Sequence, residues 1–326
     1  IDHMADDALR FPPFPFAKDE VTFDSSAFLD AVENEQLQQV ESMTQNAPEW
    51  SEIEETFATA ALAHLNDFGH SLIYVLKSSQ LLDLENQRLL TLPLARHLCY
   101  TTREDLLPPF RAYREALSQM PKQFGNGDRE DASSLFGMSI PQAVQWCLES
   151  SKRSSVNAIY DALLTAISRH LLHFDTGIDQ VVNRPPKDNV SWLHFTHGIT
   201  FSNAARHLCG KYPHLWPQAL LQMACFLGRN QAYLDHQLDE SEWMVDDATA
   251  FFREKREQVL DHGIRAPIYS AHLIKTLIAV EEEAQVASKE CQRYLLAGLN
   301  RFLSSPIKQK QTRRFANQAN KLVGID

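Results

Sequence analysis

The histidines are the side chains of this chain with the clearest capacity for chemistry. The chain has 13 of them, and several fall inside strongly apolar segments. A buried imidazole ring needs a hydrogen-bond partner or a ligand, because an unpartnered polar group in an apolar setting costs free energy. Three segments carry the candidates, residues 61–76, 191–208 and 269–284.

The first segment contains His64 and His70. Six residues on a regular helix correspond to about 600°, so the two rings diverge by roughly 120° and cannot bind one ion without other ligands. Gly69 precedes His70, and its lack of a side chain would let a ligand or another backbone approach closely. His70 is therefore the candidate site residue and His64 a secondary one. For both, the alternative is a histidine whose hydrogen bonds are satisfied within the core.

The second segment places His197, Thr200 and Ala204 on one stripe of a helix, at positions i, i+3 and i+7. Small residues around this stripe leave space beside His197. Such space suits a ligand pocket, and it equally suits close packing of two helices.

His194 is a secondary candidate from the same segment. It lies three residues before His197, which is a spacing at which two histidines can bind one metal ion if both lie on a helix. The prolines at 185 and 186 and the polar residues after them predict a helix start near Thr196, which would exclude His194 from the helix.

The third segment places His272 and Lys275 three residues apart on one face of a predicted helix. A lysine at this position could bind an anionic group or a polar substrate. Alternatively, its ammonium group extends to the surface along its aliphatic stem.

We expect His70, His197 and His272 to converge on one internal pocket, with Thr200 and Lys275 beside them. Two roles stay open from the residues alone. Three histidines from three helices could hold an iron or zinc ion with an open coordination position. Without a metal, one of them could act as the base that deprotonates a phenol.

The apolar spacing from about residue 26 onward has the period of helices, and only 11 glycines and 15 prolines occur. The sequence therefore predicts an all-α fold, a single multi-helical domain of residues 26–326 around an internal apolar pocket. Residues 1–25 are predicted to form an extended arm rich in proline and phenylalanine, and residues 1–4 resemble a tag remnant.

More detailed predictions concern helix ends and loops. Ser51 with Glu54 and Thr101 with Glu104 match the capping-box pattern, which predicts a helix start at each. The first of these helices is expected to run on to Leu76. Residues 122–136 hold two glycines and many charges, and we expect a loop there.

Composition narrows the classes of protein. The net charge of −11 argues against a nucleic-acid partner, because contact with phosphates needs a basic face. The five cysteines form no CxxC pair, which favours a reducing compartment. We find no secretion signal and no transmembrane segment, so a cytoplasmic location without membrane association is expected. The oligomeric state stays open.

Three motifs together resemble the questin oxidase-like family. Residues 197–206 are similar to its H-x-x-T-x-x-x-A-x-R segment, residues 272–275 to its H-x-x-K segment, and residues 69–72 to its early histidine motif. The chain departs from the family at Gly69, where asparagine is usual, and at Asn203, where a second histidine is frequent. The resemblance implies an oxidoreductase acting on polycyclic aromatic or polyketide-like compounds. In fungal members this is a Baeyer–Villiger type ring opening with NADPH.

The leading hypothesis is thus an oxidoreductase (a monooxygenase) of specialised metabolism, with a small aromatic or apolar substrate. The alternative is a non-catalytic helical protein that binds an apolar ligand or a protein partner.

Overall fold

The computed structural model describes residues 21–81, 87–180, 190–261, 267–305 and 319–320. Fourteen α-helices, joined by short 3-10 turns, make up most of these residues. The described part of the chain contains no β-strand, and its β-bridges are isolated. The predicted all-α fold is confirmed.

The helices are, in chain order, α1 (Ser25–Glu33), α2 (Leu37–Gln45), α3 (Trp50–Leu62), α4 (His70–Leu81), α5 (Gln87–Tyr100), α6 (Arg111–Leu117), α7 (Ile140–Arg153), α8 (Val156–Leu172), α9 (Thr176–Gln180), α10 (Trp192–Lys211), α11 (Trp216–Asn230), α12 (Ala248–Leu260), α13 (Pro267–Ala284) and α14 (Lys289–Ser304). None of the described helices is long and apolar enough to cross a bilayer.

Contacts divide the chain into two compact units, and the predicted domain of residues 26–326 extends over both. The first unit comprises residues 1–108 and 204–219, and the second comprises residues 109–203 and 220–326. In the first unit, the rings of Phe28, Phe57 and Trp50 pack together with centroids 4.8–5.3 Å apart. In the second unit, α8 packs along α14.

Both predicted capping boxes are wrong. Helix α3 begins at Trp50, so Ser51 lies inside it, and the helix ends at Leu62 instead of continuing to Leu76. The carboxylate of Glu54 is buried and accepts hydrogen bonds from Ser79 and from Tyr212 at 2.8 Å. The Glu54 side chain, which the capping-box pattern placed at a helix start, instead forms tertiary contacts.

The second wrong box involves Thr101 and Glu104. Residues 104–106 form a single 3-10 turn preceded by Arg103, and no side chain caps it. The Glu104 carboxylate instead accepts a hydrogen bond from the backbone N–H of Phe68 at 3.3 Å.

Helix α10 begins at Trp192, four residues before the predicted start, because Ser191 and His194 cap it reciprocally. The Ser191 hydroxyl accepts from the backbone N–H of Leu193 at 3.3 Å, and the Ser191 N–H donates to His194 Nδ1 at 3.1 Å. This is a capping box in which histidine takes the place of the usual Glu or Gln.

Residues 122–136 are a loop apart from one 3-10 turn at Ser133–Leu135, as predicted. Its glycines allow close approach to the end of α7, where Gly125 and Gly127 donate to Ser151 and Arg153 carbonyls at 3.0 Å. At the N-terminus, α1 begins at Ser25. Residues 1–20, which include the predicted tag remnant and most of the predicted arm, lie outside the described residues.

We predict that Gly228→Ala destabilises the protein by about 1–3 kcal/mol, the usual cost of overpacking. A Cβ at Gly228 on α11 would lie 2.3 Å from the backbone nitrogen of Ile140 at the start of α7. Gly210→Ala on α10 is the matched control, because a Cβ there meets nothing within 4 Å and should stabilise by up to about 1 kcal/mol. Denaturant unfolding measures both, and equal effects would contradict this account.

Candidate metal centre

His197 and His272 lie against each other in the second unit. His197 is on α10 and His272 is on α13, and their Nε2 atoms are 3.2 Å apart. The ring centroids are 4.9 Å apart and the ring planes are inclined by 75°. Both residues are buried, with 4% and 7% of their surface exposed. The pair is therefore a polar site enclosed by the fold.

The backbone determines which nitrogen of each ring carries hydrogen. His197 Nδ1 is hydrogen-bonded to the carbonyl oxygen of Leu193, and His272 Nδ1 lies 2.5 Å from the carbonyl oxygen of Ile268. Each carbonyl belongs to the residue one turn earlier on the same helix. A carbonyl only accepts, so each Nδ1 must donate. A neutral imidazole that donates through Nδ1 has its lone pair on Nε2.

It follows that two Nε2 lone pairs face each other across 3.2 Å. Two acceptors at that distance repel unless a cation lies between them, either a proton shared by the pair or a metal ion. Metal-ligating histidines commonly donate their other ring nitrogen to a carbonyl or carboxylate, which is the arrangement seen here.

The separation of the two nitrogens also suits a metal ion. Two imidazole nitrogens bound at 2.0–2.1 Å to a tetrahedral ion are about 3.3 Å from each other. The observed 3.2 Å is close to this value without movement of either helix.

Close helix packing explains the small residues near His197. A Cβ on Gly198 would lie 2.8 Å from Ile167 Cγ2, so glycine lets α10 approach α8. The hydroxyl of Ser202 donates back to the Gly198 carbonyl at 2.7 Å. The sequence left open whether the small residues serve a ligand pocket or close helix packing. At Gly198 and Ser202 the structure shows close packing.

A buried polar network also joins α10 to α13, and the sequence analysis did not predict it. The amide of Asn203 donates to carboxylates of Glu282 and Glu283, both at 2.8 Å. The Tyr160 hydroxyl donates to the other oxygen of Glu283 at 2.8 Å. Glu283 is fully buried, and three consecutive glutamates ending an apolar helix were the signal that could have revealed this network.

His70 belongs to the first unit, where it opens helix α4. The three residues before it, Asp67, Phe68 and Gly69, have φ values of 35°, 54° and 77°. This left-handed turn is the reason for a glycine at position 69, since other residues pay a steric cost there. The sequence interpretation of Gly69 as a point of close approach did not foresee this role.

The ring of His70 is oriented by its own turn. Its Nδ1 lies 3.4 Å from the Asp67 carboxylate, and the hydrogen bond from His70 lowers the pKa of Asp67. The ring stacks on Tyr74, with centroids 5.4 Å apart and planes inclined by 18°. The Asp67 carboxylate thus lies on the Nδ1 side of the His70 ring.

His64 and His194, the secondary candidates, have structural contacts instead. His64 Nδ1 lies 3.0 Å from Asp105 and its Nε2 lies 2.9 Å from Glu33, so carboxylates engage both nitrogens. His194 caps α10 through Nδ1, and burial, together with the charge of Arg229, lowers its pKa to about 4.

Thr200 and Lys275 follow the two paired histidines by three residues each. The Thr200 hydroxyl is buried and donates to the Thr196 carbonyl at 3.2 Å. Lys275 is partly buried, and desolvation lowers its pKa to about 8.

Comparison with known protein families, with characterised proteins and with solved structures finds no match. The resemblance to the questin oxidase-like family accordingly stays a prediction from three motifs.

We predict that His64→Gln costs more stability at pH 5.5 than at pH 9. Burial alone would lower the pKa of His64, but its bonds to Asp105 and Glu33 outweigh this and raise the pKa above 6.5. Stabilisation by the charged ring is therefore complete below the unfolded-state pKa and is lost as the pH rises through the folded-state value. We expect a loss of about 1–3 kcal/mol at pH 5.5.

The control for this prediction is His214→Gln. His214 is largely exposed, and its nearest carboxylate, Glu55, is 3.6 Å away. Denaturant unfolding at the two pH values measures both variants. A pH-independent loss in His64→Gln would contradict the charged-histidine account.

Proposed function

We propose that this protein is a metal-dependent enzyme in which His197, His272 and His70 bind one iron or zinc ion. The proposal rests on one observation. The Nε2 atoms of His197 and His272 are 3.2 Å apart with their lone pairs facing each other, because both Nδ1 atoms donate to carbonyls. Imidazole is a suitable ligand for either metal, and the spacing fits ordinary metal–nitrogen bonds.

Two observations support His70 as the third ligand. Its Nδ1 is turned toward the Asp67 carboxylate, which leaves Nε2 as the nitrogen suited to bind a metal ion. The motif resemblance of residues 69–72, like those of residues 197–206 and 272–275, also selects His70.

Three protein ligands would leave coordination positions for a substrate or oxygen, which is the arrangement of catalytic rather than structural metal sites. An iron ion bound in this way would supply the redox chemistry of an oxygen-dependent oxidoreductase. The chain's own contribution is to fix the ring orientations through the carbonyls of Leu193 and Ile268 and to keep the pair away from bulk water.

The reaction class rests on the motif resemblance. We propose an oxidoreductase, of the monooxygenase type, acting on a small aromatic or apolar compound in specialised metabolism, with NADPH as the electron donor that the resemblance implies. A protein that binds no metal, whose histidine pair shares a proton, would instead fit the alternative of a non-catalytic binding protein.

We predict that His197→Ala and His272→Ala each weaken iron or zinc binding by more than about a hundredfold, because each removes a ligand. Elemental analysis after loading and calorimetric titration measure this. His194→Ala is the matched control on the same helix, and it should lower stability by about 1 kcal/mol through loss of the cap while leaving metal binding intact. Metal-free wild-type protein after loading would refute the proposal.

We predict that His70→Ala lowers metal affinity as strongly as the two other substitutions, and that Asp67→Asn lowers it by about ten- to a hundredfold. The second figure is the usual effect of removing a carboxylate that orients a metal-binding histidine. Calorimetric titration with zinc is the measurement. Wild-type affinity in His70→Ala would reduce the site to the two-histidine pair.

A further inference from the structure

Lys275 occupies an unusual position one turn after His272 on α13. Three residues on a helix correspond to about 300°, so the two side chains leave neighbouring parts of one face. His272, Leu273 and Leu277 belong to the buried side of the helix, whereas Ile274 and Ile278 are exposed. Lys275 lies at the edge of the buried side, one turn after His272, and is itself partly buried.

No described residue offers Lys275 an anion. Within the described part of the chain, Lys275 forms no ion pair and no hydrogen bond, and the three glutamates of its own helix pair with other residues. Glu281 pairs with Arg256, and Glu282 and Glu283 accept from Asn203. By contrast, Lys211, whose ammonium group lies close to the buried carboxylate of Glu54, pairs with it.

Burial without a partner destabilises the ammonium form, and desolvation lowers the pKa of Lys275 to about 8. At pH 7 the group is still mostly protonated, so a positive charge is held at the edge of the core. A bound oxygen anion would reverse this penalty through a charge-assisted hydrogen bond.

Resting on the proposed function, we propose that Lys275 binds an anionic oxygen of the substrate beside the metal ion, so that the substrate is a carboxylate or a phenolate. A metal ion and an ammonium group next to it form a two-point site for one negative oxygen. A neutral apolar ligand would gain nothing from the lysine. The proposal thereby narrows the substrate from aromatic compounds in general to those with an acidic oxygen.

Calorimetric titration of the zinc-loaded protein at pH 7 tests this with three probes of similar size, benzoate, 4-nitrophenolate and neutral benzamide. In Lys275→Met we expect unchanged zinc stoichiometry, and binding of at least one of the two anions weakened by roughly ten- to a hundredfold. Benzamide binding should be unaffected. The anion whose binding is weakened identifies the substrate as a carboxylate or a phenolate.

Two further variants complete the design. Lys275→Arg retains the charge and should bind the anion within a few-fold of wild type, which also guards against misfolding of the methionine variant. Lys255→Met removes a partly buried lysine of α12 that pairs with Glu254, and it should change nothing.

The outcomes separate this inference from the proposed function. The role of Lys275 would be overturned, and the metal centre left standing, by either of two results with normal zinc binding. In the first, wild type and Lys275→Met bind both anions equally. In the second, neither protein binds either anion. Failure of the wild-type protein to bind zinc or iron would overturn the metal centre and this inference with it.

Discussion

The site depends on how two backbone carbonyls fix the tautomers of two histidines. Because Leu193 and Ile268 each take the Nδ1 hydrogen of the histidine one turn later, both Nε2 atoms become acceptors, and the fold holds them 3.2 Å apart. Two lone pairs that face each other at this distance repel, so the arrangement is unfavourable without a positive charge between them. A bound cation converts the cost into a binding site.

The remainder of the second unit keeps the two rings in register. Gly198 allows α10 to approach Ile167 on α8, and the buried carboxylate of Glu283 links Asn203 on α10 to Tyr160 on α8. Since Glu283 lies on the same helix as His272, these contacts connect both histidine-bearing helices to α8. In the first unit, a left-handed turn with Asp67 performs the corresponding task for the His70 ring.

The fold class could be predicted from the sequence because helical apolar spacing and scarce glycine are properties of the whole chain. The predictions of helix starts were wrong where a side chain had an unusual partner. His194 replaces glutamate in a capping box, and Glu54 forms tertiary contacts instead of capping a helix. His197 and His272 could be selected because they lie on apolar helices. The Asn203–Glu283 contact could not, since it pairs residues 80 positions apart that no local pattern connects.

The central claim is that these histidines bind a metal ion, and X-ray absorption spectroscopy of the iron- or zinc-loaded protein tests it most directly. We expect nitrogen or oxygen ligands at about 2.0–2.2 Å, with the outer-shell scattering of three imidazole rings, which falls to two rings in His272→Ala. A spectrum without imidazole scattering, or one unchanged in His272→Ala, would contradict the account. The facing nitrogens would then share only a proton.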